Sequence, residues 1–495
     1  MAEKRNIVES FEVTGGGASG DLLTERRGDR KLRVGVLTCA YFEYWRMYPG
    51  LREEVVGDMK KIADQIGRAY DVVYPGLVDT LDTADSAGTV FQENKIDLLI
   101  VAEGTYCTDY IIHQALLHLP ADISLCLFAC QAHTVLDYKA GYDQALRNSG
   151  PMGIVQLGAG FRKMDKYPAY EVVVGGIDDD EAYAEISRFI DVRTTIQNLK
   201  SWNIGLIGHV FRGMYDFQYD KTAVTGKLGP HVIDIDIRHL ATILEGIALD
   251  DARVVSLKKQ VLADYEVHDL DDIDILRSAR LSLALSDFVE QYRLDGLALL
   301  GQHHIELQAN STCYLGMSEL LKSDKVIAVT EGDVLGLIMS KVLKDFTGIT
   351  PFFGEWEEID TDLNAIMFLG HGFIDPRYAR KDRGVRIQSA SENWGFEGNS
   401  LGFQATYEPG PVTLTHVIQD SKGWRLLISE GEILDTPPLE ISECSCIVGF
   451  KKNVKEYFRT LIKLGFAHHA VIVPGKVSAH LRSFAEQLDM DICEI

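Results

Sequence analysis

Residues 329–372, VTEGDVLGLIMSKVLKDFTGITPFFGEWEEIDTDLNAIMFLGHG, mark the place where the chain changes from a mixed α/β pattern to a β-rich pattern. The stretch contains an apolar helix-like segment that ends at a glycine, and Glu331, Glu355 and His371 lie beside the apolar runs VLGLIM and AIMFLG. Removing water from a charged side chain costs several kcal/mol unless a partner replaces the water. A metal cation is one partner that would explain these positions, and helix caps with surface turns are the alternative explanation.

The composition is that of a globular protein of two or three domains. The chain has 495 residues, of which 46% are hydrophobic and 25% charged, and this length exceeds what one ordinary hydrophobic core supports. There are 49 Lys and Arg residues against 73 Asp and Glu residues, so the formal net charge is -24. Such a charge repels phosphate backbones and anionic lipids, which argues against a nucleic-acid partner and against a membrane partner. A protein with this negative charge is better suited to bind neutral ligands or cations.

The eight cysteines do not form a recognisable metal-binding or disulfide framework. Cys126 and Cys130 lie four residues apart in a strongly apolar run, where a strand places both thiols on one buried face. Cys444 and Cys446 have a spacing that suits neither zinc knuckles nor redox pairs. The first residues lack the apolar core of a signal peptide, and no window approaches the roughly 18 apolar residues that span a bilayer. We therefore expect a cytoplasmic protein.

Apolar strands that alternate with amphipathic helices predict two α/β domains, and a β-rich domain follows them. Residues 1–31 are polar and glycine-rich and are expected to form a flexible arm. Residues 32–185 contain buried strand patterns such as LRVGVLTCAY and IDLLIVAEGT, and residues 186–345 show the same kind of arrangement. Continuous apolar strands joined by helices indicate parallel sheets covered on both faces. Residues 346–495 are rich in β-formers, glycine and turn pairs, which predicts an antiparallel sheet or small barrel.

Nucleotide binding has little support in the sequence. The glycine cluster of LGAGFRKM, residues 157–164, lacks the third glycine of the dinucleotide fingerprint and is followed by basic residues, so we predict a turn there. The phosphate-binding pattern GxxxxGK[ST] is absent from the chain. These observations disfavour a nicotinamide-dependent dehydrogenase, which is one rival hypothesis for a chain with two α/β domains.

Two loops that follow buried strands carry candidate substrate contacts. The sequence GQHHIE places His303, His304 and Glu306 at the carboxyl edge of a predicted parallel sheet, where ligands often bind, and Gln302 and His303 are the candidate substrate contacts of this turn. Adjacent histidines on a strand point to opposite faces, so His303 and His304 would not readily share one metal ion. The loop GHVFRGMYDFQYD, residues 208–220, has the glycine, arginine and aromatic residues of a ligand-facing loop, and an aromatic packing loop explains it equally well.

Glu331, Glu355, His371 and His469 form a candidate metal-binding set. Two carboxylates with one or two imidazoles suit Mn²⁺, which accepts both oxygen and nitrogen ligands. A set without cysteine argues against structural zinc. A buried histidine, such as His469 in GFAHHAVIVPGK, is otherwise most often satisfied by a backbone carbonyl. The metal hypothesis therefore depends on whether the four residues converge in the fold.

The sequences TEGD, FFGEW, FLGHG and FAHHAV resemble the metal-ligand motifs of the L-arabinose isomerase and L-fucose isomerase superfamily. The resemblance places the first metal ligand, the glutamate of a Glu-x-Asp motif, on Glu331. It places the second on Glu355, two residues after Phe353, where L-arabinose isomerases have Glu and L-fucose isomerases have Asp. The histidine after Leu-Gly corresponds to His371, although the arabinose enzymes carry Leu-Gly-Ser-His at this point. The last ligand corresponds to His469, the second histidine of an Ala-His-His triplet.

The resemblance implies two Rossmann-like α/β domains before a β-rich, barrel-like C-terminal domain, and a homo-oligomer, which is a hexamer in other members of the superfamily. It implies a metal-dependent aldose–ketose isomerase acting on a free pentose or hexose of the L-arabinose/L-ribulose type. Glu331 and Glu355 would be the acid–base residues, and the ion would be Mn²⁺, or else Co²⁺ or Mg²⁺. An isomerase of the L-fucose/D-arabinose type is the alternative, and a non-catalytic sugar-binding protein is the rival from another class.

Further candidate contacts also follow from the resemblance. The loop FRGMYDF resembles a substrate-side loop of the fucose enzymes, which makes Met214 a candidate substrate contact. The arabinose enzymes place a histidine in a strand-end loop of the first domain, and it reaches the site of a neighbouring subunit. The corresponding sequence FACQAH has Ala129 at that place, and Gln131 nearby is the candidate here. Met214, Gln131, Gln302 and His303 form the predicted substrate-binding set.

Overall fold

The computed structural model describes residues 30–165, 170–301, 304–392 and 395–495. Residues 1–29 of the predicted N-terminal arm lie outside these described residues. The chain divides into two compact units. The first unit contains residues 29–198 and 479–489, and the second contains residues 199–478 and 490–495.

The first unit is built on a parallel sheet of six strands. These are β1 (Arg33–Cys39), β2 (Asp71–Val73), β3 (Leu77–Val78), β4 (Leu98–Glu103), β5 (Ser124–Gln131) and β6 (Tyr170–Gly176). The order is β2-β1-β4-β5-β6, and β3 pairs with β1 further along its length. Alternate residues of β4 pack into different hydrophobic cores. Leu98 and Ile100 belong to one core, and Leu99 and Val101 belong to the other. The predicted parallel sheet with two covered faces is therefore confirmed.

Among the described residues, six helices lie between these strands in sequence and a seventh follows β6. They are α1 (Tyr44–Met47), α2 (Leu51–Ile66), α3 (Leu81–Asn94), α4 (Asp109–Leu116), α5 (Tyr142–Arg147), α6 (Gly150–Met164) and α7 (Asp180–Leu199). The turn predicted at residues 157–164 is wrong, because these residues belong to α6. A Cβ added at Gly158 would lie 3.0 Å from Tyr170 Oη, and one added at Gly160 would lie 2.9 Å from Asp109 Oδ2. The glycines therefore allow close packing of a helix, which their sequence pattern alone does not distinguish from a turn.

The second unit begins with a parallel sheet of four strands in the order β11-β10-β7-β8. They are β7 (Asn203–Ile207), β8 (His231–Ile235), β10 (Gly296–Leu299) and β11 (Ile327–Thr330), and the two-residue β9 (Glu266–Val267) lies in another sheet. The helices of this part are a 3₁₀ helix (Tyr215–Phe217), α8 (Lys221–Lys227), α9 (Ile237–Glu245), α10 (Ala252–Asp264), α11 (Asp272–Gln291), α12 (Ile305–Ala309), α13 (Tyr314–Lys322) and α14 (Val334–Thr347). The strands β7, β10 and β11 are buried along their whole length, as expected for a covered parallel sheet.

Six antiparallel strands of the second unit close into a ring. The remaining elements of the chain are β12 (Phe352–Asp360), β13 (Ala365–Gly370), a 3₁₀ helix (Pro376–Tyr378), β14 (Arg386–Ser389), β15 (Leu401–Gln404), β16 (Gly410–Asp420), β17 (Gly423–Ile433), β18 (Cys444–Gly449), α15 (Val454–Leu464), β19 (His469–Pro474), α16 (Ser478–Gln487) and β20 (Asp491–Glu494). The ring has the order β16-β19-β12-β13-β18-β17, and β17 pairs with β16 to close it. β20 adds to β17 in parallel, and β15, β14 and β9 form a small separate sheet. The predicted barrel-like C-terminal region is confirmed.

The predicted domain boundaries at residues 185 and 345 stay predictions. α7 continues across residue 185, and the residues on both sides of 345 belong to the second unit. Among the helices that the structure describes, none combines the length and the apolar character needed to cross a membrane.

Candidate metal centre

Glu331 lies in the turn between β11 and the N-terminus of α14. Its φ is 60°, and Gly332 follows with a φ of 76°. The left-handed conformation costs a residue with a side chain about 1–2 kcal/mol, and such residues are concentrated at functional sites. A Cβ added at Gly332 would lie 2.9 Å from His209 O and 2.9 Å from Val210 Cα, and Glu331 O accepts a hydrogen bond from Phe211 N at 3.0 Å. The turn is therefore held in place by the loop that follows β7.

Neighbouring strands of the ring bring three further residues together. Glu355 on β12 pairs with His469 on β19, and on its other side it pairs with Leu369 on β13. His371 follows directly after the end of β13. Directly paired residues of antiparallel strands have Cβ atoms about 4.5–5.5 Å apart. The register of the ring thus explains why side chains from distant parts of the sequence meet.

Glu331, Glu355, His371 and His469, together called the carboxylate–imidazole group, have donor atoms that all lie within 4.8 Å of one another. His469 Nε2 is 3.6 Å from Glu331 Oε2 and 3.8 Å from Glu355 Oε1. His371 Nε2 is 3.1 Å from Glu355 Oε1. Three of the residues are buried, whereas 23% of the Glu355 side chain is exposed. The structure therefore brings together all four residues that the sequence motifs indicated.

Unpartnered buried atoms show that the carboxylate–imidazole group fits a divalent cation. Glu331 Oε2, His371 Nε2 and His469 Nε2 are buried without a hydrogen-bond partner. The 3.1 Å contact of His371 with Glu355 lacks the alignment of a hydrogen bond. Buried polar atoms without partners are costly, and a cation bound by two carboxylates and two imidazoles would satisfy all of them. The oxygen and nitrogen donors, without any thiolate, suit Mn²⁺ and similar ions.

Asp333 contacts Nδ1 of His469, the ring nitrogen that faces away from the other three residues of the carboxylate–imidazole group. Asp333 Oδ2 accepts hydrogen bonds from His469 Nδ1 at 3.1 Å and from His416 Nε2 at 3.0 Å, while Oδ1 accepts one from Gly336 N at 2.8 Å and caps α14. Because a carboxylate only accepts, His469 Nδ1 carries a proton, and Nε2 is the atom that can bind a metal ion. Burial opposes the ionisation of Asp333, but the two histidines hold its pKa well below the usual range.

His371 also has a carboxylate on the side of its Nδ1. This nitrogen lies 3.8 Å from Glu392 Oε1, and Glu392 Oε2 accepts a hydrogen bond from Tyr314 Oη at 2.5 Å. Burial raises the pKa of Tyr314, and the charges of Glu392, Glu306 and Glu443 raise it further. Burial is the main cause that raises the pKa of Glu443 to about 8, and the negative charge of Glu392 is the second cause. Burial and repulsion among these carboxyl groups thus favour the protonated, uncharged form of Glu443.

Glu355 is the accessible carboxylate of the pair. Burial opposes its ionisation, but contacts with His371 and His469 lower its pKa well below the usual range. Glu331 is buried at 4% exposure and is held by its turn. One accessible and one buried carboxylate beside a cation site can together move protons on a bound ligand.

His468 precedes β19 and approaches the same carboxylates from the accessible side. Its Nδ1 donates to Asp216 Oδ2 at 2.7 Å, and its backbone N–H donates to the same oxygen at 3.1 Å. Its Nε2 lies 3.7 Å from Glu331 Oε2 and 3.7 Å from Glu355 Oε1. The ring packs against Phe217, with ring centroids 4.5 Å apart.

The predicted substrate-binding residues are distributed over both units. Met214 directly precedes the 3₁₀ helix that carries Asp216, and it is half-buried. Gln131 ends β5 in the first unit and is also half-buried. Gln302 and His303 lie outside the described residues. Substrate contact by these four residues stays a prediction.

Four residues near the carboxylate–imidazole group are not among the site residues predicted from the sequence. Asp333 had the clearest signal, because an acidic residue between a strand and an apolar helix is a typical N-cap. His416 occupies an apolar strand, Asp216 lies in a loop with many polar residues, and Glu392 follows a short strand. Their contacts join residues far apart in sequence, and no local pattern reports such contacts.

Known sugar isomerases resemble this chain in sequence. Residues 388–495 match the family model described as the L-fucose isomerase C-terminal domain. The chain is similar to a sulfoquinovose isomerase of Alkalicoccus urumqiensis, with 24% identity over 332 residues, which are 66% of this chain and 72% of that protein. A sulfoquinovose isomerase of Priestia megaterium is 22% identical over 330 residues, covering 65% of this chain and 71% of that protein.

An L-arabinose isomerase is also among the similar proteins. The L-arabinose isomerase of Pectobacterium carotovorum subsp. carotovorum is 20% identical over 347 residues, covering 66% of this chain and 67% of that protein. These similarities agree with the superfamily that the four motifs resemble. The family match and these similarities together support the L-fucose and L-arabinose isomerase superfamily.

Proposed function

We propose that the protein is a metal-dependent aldose–ketose isomerase that acts on a free, uncharged pentose or hexose of the L-arabinose/L-ribulose type. The observation that carries the proposal is the carboxylate–imidazole group, whose donor atoms lie within 4.8 Å of one another and include three buried atoms without partners. The similar proteins are named as sugar isomerases, which supports the reaction class. An isomerase of the L-fucose/D-arabinose type is the alternative in substrate.

Glu331, Glu355, His371 and His469 would hold the metal ion, with Mn²⁺ as the proposed ion and Co²⁺ or Mg²⁺ as alternatives. In that position a divalent ion would supply Lewis-acid polarisation of the carbonyl and hydroxyl oxygens of an open-chain sugar, which would lower the cost of removing a proton from the neighbouring carbon. Asp333 keeps His469 Nε2 turned toward the group, because it occupies Nδ1 at 3.1 Å. Glu392 lies on the equivalent side of His371.

The two glutamates have different tasks in the proposed reaction. Conversion of an aldose to a ketose moves one proton from C2 to C1 and another between the two oxygens, and no atom is gained or lost. We assign the carbon-bound proton to Glu355, because 23% of its side chain is exposed and a ligand can approach it. We assign the hydroxyl proton to Glu331, which is buried and fixed by a strained turn.

The charges near His371 favour an uncharged sugar as substrate. The chain carries a formal net charge of -24, and Glu392, Glu306 and Glu443 lie on the Tyr314 side of the group, although burial raises the pKa of Glu443 to about 8 and so favours its uncharged form. A sulfonate or phosphate group would bring a further negative charge into this region, and like charges in a partly buried site repel strongly. We therefore propose a substrate different from the sulfoquinovose in the names of the two relatives.

Metal analysis and an aldose panel test the proposed function. The metal content is determined after purification without added metal, and ketose formation is measured with L-arabinose, L-fucose, D-arabinose and sulfoquinovose. We expect a bound divalent ion, conversion of an uncharged aldose, loss of activity with a chelator and recovery with Mn²⁺. Conversion of sulfoquinovose alone would refute the charge argument. Sugar binding without conversion and without metal would instead indicate a non-catalytic sugar-binding protein.

The variant Glu355→Gln tests the assigned proton transfer. Gln keeps the size of Glu but removes the charge and the basic oxygen, so kcat should fall by about 10²–10⁴-fold while the fold survives. Glu357 and Glu358 follow on the same strand and are exposed, which makes their Gln variants matched controls. These controls should keep their activity within about twofold, because surface substitutions change free energies by less than about 0.5 kcal/mol. Equal, mild losses in all three variants would show that Glu355 does not carry the proton.

A further inference from the structure

A cavity of about 600 Å³ lies at the amino edge of the parallel sheet of the first unit. β5 begins at Ser124 and β6 begins at Tyr170, and both residues line the cavity. The helices α6, α7 and α16 contribute Arg162, Arg193 and Glu486 to its wall. Volumes of about 300–1,000 Å³ are typical of sites for small molecules. Every lining residue belongs to the first unit, whereas the carboxylate–imidazole group belongs to the second, so the cavity is separate from the candidate metal centre.

Arg193 brings a half-buried guanidinium into this cavity without a partner for it. In the part of the chain that the structure describes, Arg193 has neither a hydrogen bond nor an ion pair. Burial lowers its pKa, although the charges of Asp122 and Asp97 oppose this shift. Asp97 already accepts hydrogen bonds from the Arg30 side chain and from Arg33 N. A cation that loses water without gaining a partner is costly, and the planar guanidinium matches a carboxylate. An anionic group of a ligand would supply the missing partner.

Two carboxylates that repel each other line the same cavity. Burial raises the pKa of Glu171, and the charge of Glu486 raises it further. Arg188 opposes this shift, but its guanidinium also lies 3.8 Å from Glu185 Oε1. Ser483 Oγ donates a hydrogen bond to Glu171 Oε2 at the long distance of 3.4 Å. A cationic group of a ligand beside these two carboxylates would relieve their repulsion.

The mixture of charges in the lining disfavours ligands that carry only one sign of charge. A phosphate or a simple carboxylate would meet the guanidinium groups of Arg162 and Arg193, but Glu171 and Glu486 would repel it. A simple amine would meet the reverse combination. The formal net charge of -24 further disfavours a purely anionic ligand. A molecule that carries both charges and is neutral as a whole complements all of these side chains.

We propose that this cavity binds a small organic zwitterion, such as a free amino acid, whose carboxylate pairs with Arg193 and whose ammonium group is bound by Glu171 and Glu486. The inference is independent of the proposed isomerase function, because none of these residues belongs to the carboxylate–imidazole group. Hydrogen bonds between charged groups at both ends make such binding selective. Removal of either charged group from the ligand should therefore weaken binding by about 10–100-fold.

Calorimetric titration of the metal-free protein with amino acids of increasing length tests the proposal. The probes are glycine, 4-aminobutanoate and 6-aminohexanoate, which cover increasing separations of the two charges. Each probe is compared with the carboxylate and with the amine of the same chain length. We expect one of the zwitterions to bind with a dissociation constant below about 1 mM, and its matched carboxylate and amine to bind about 10–100-fold more weakly. Glu331→Gln should not change this binding, because Glu331 belongs to the other unit.

Variants of the lining residues identify the two charged ends of the site. Arg193→Gln should weaken binding of the best zwitterion by about 10–100-fold, and Glu486→Gln should weaken it by about tenfold. The matched controls are Arg68→Gln and Glu93→Gln, which replace exposed residues of the same unit outside the cavity and should change affinity by less than about twofold. Without ligand, the thermal midpoint of Arg193→Gln should be within about 1 °C of the unmodified value or higher, because the variant removes an unpaired charge.

Four results would overturn the inference. Absence of binding for every probe at about 10 mM would show that the cavity is not a site for this class of ligand. A carboxylate that binds as tightly as its matched zwitterion would make the cavity a simple anion site. An equal loss of affinity in Arg68→Gln and Arg193→Gln would reduce the effect to net charge. A midpoint of Arg193→Gln that falls by several degrees without ligand would show that Arg193 has a structural role.

Discussion

Replacement of Asp333 by Asn tests how strongly the buried contacts behind His469 support the site. Asp333 is fully buried, and its carboxylate accepts hydrogen bonds from His469 Nδ1, His416 Nε2 and Gly336 N at 3.1, 3.0 and 2.8 Å. Asn has almost the same shape, but only one of its two polar atoms accepts hydrogen bonds. The variant therefore cannot satisfy the helix N-terminus and both imidazoles at once.

The size of the effect follows from the two orientations open to the amide. If the amide oxygen keeps the cap of α14, two hydrogen bonds to an ionised acceptor are lost, and such bonds contribute about 1.5–3 kcal/mol each. If the oxygen faces the imidazoles, the cap is lost at about 0.5–2 kcal/mol and the two remaining bonds become weaker, neutral ones. We expect a loss of about 2–4 kcal/mol, which lowers the thermal midpoint by about 4–8 °C.

Thermal unfolding and calorimetric Mn²⁺ binding are the two measurements. Mn²⁺ affinity should fall by about 10–100-fold, because His469 loses the partner that fixes its tautomer. Asp251→Asn is the control, since Asp251 caps α10 from a half-buried position through Arg253 N at 2.8 Å and Asn caps as well as Asp. Its midpoint should stay within about 1 °C. An Asp333→Asn protein that unfolds and binds Mn²⁺ like the unmodified chain would refute the supporting role of Asp333.

Two further predictions concern metal binding and the turn that carries Glu331. Mn²⁺ at about 100 times its dissociation constant should stabilise the protein by about 2.7 kcal/mol, and Glu331→Gln should remove most of the resulting increase in thermal midpoint; an undiminished increase would place the ion elsewhere. Gly332→Ala should lower the midpoint more than Gly348→Ala. Their φ values are 76° and 71°, but a Cβ at Gly332 would lie 2.9 Å from His209 O, whereas none of the described atoms lies within 4 Å of one at Gly348. Equal decreases in the two thermal midpoints would show that the close contact of Gly332 with the loop after β7 does not contribute to stability.

The sequence patterns predict those parts of the fold that depend on local periodicity. Buried apolar strands such as β4 and β7, separated by amphipathic helices, indicate covered parallel sheets, and the structure has them. The loss of helical periodicity after residue 350 indicates the antiparallel strands. Closure of the ring is not visible locally, because it depends on the pairing of β16 with β17 and β19 and of β18 with β13 and β17. The helix at residues 157–164 was missed because glycine marks a turn and a close helix contact equally well.

The same limit applies to the site. Glu331, Glu355, His371 and His469 are each recognisable within a short motif, so the motifs indicate them without any information on their proximity. Of the residues around them, Asp333 belongs to the TEGD motif, but His416 and Glu392 belong to none of the four motifs. Asp216 touches His468 from 252 positions earlier in the chain, and His416 touches Asp333 from 83 positions later. Contacts over these separations are set by the packing of whole elements, which a single sequence does not report.

The register of β12 decides whether the carboxylate–imidazole group can exist. Side chains on a strand alternate between faces, so a shift by one residue would turn Glu355 away and bring Trp356 to its place. Trp356 is buried on the other face and donates a hydrogen bond from Nε1 to His469 O at 3.3 Å, which opposes such a shift. β12 is also paired on both sides, with β13 and with β19, inside a closed ring. A slip would break pairs along both edges at once, so ring closure is what holds Glu355 opposite His469 and keeps the donor atoms together.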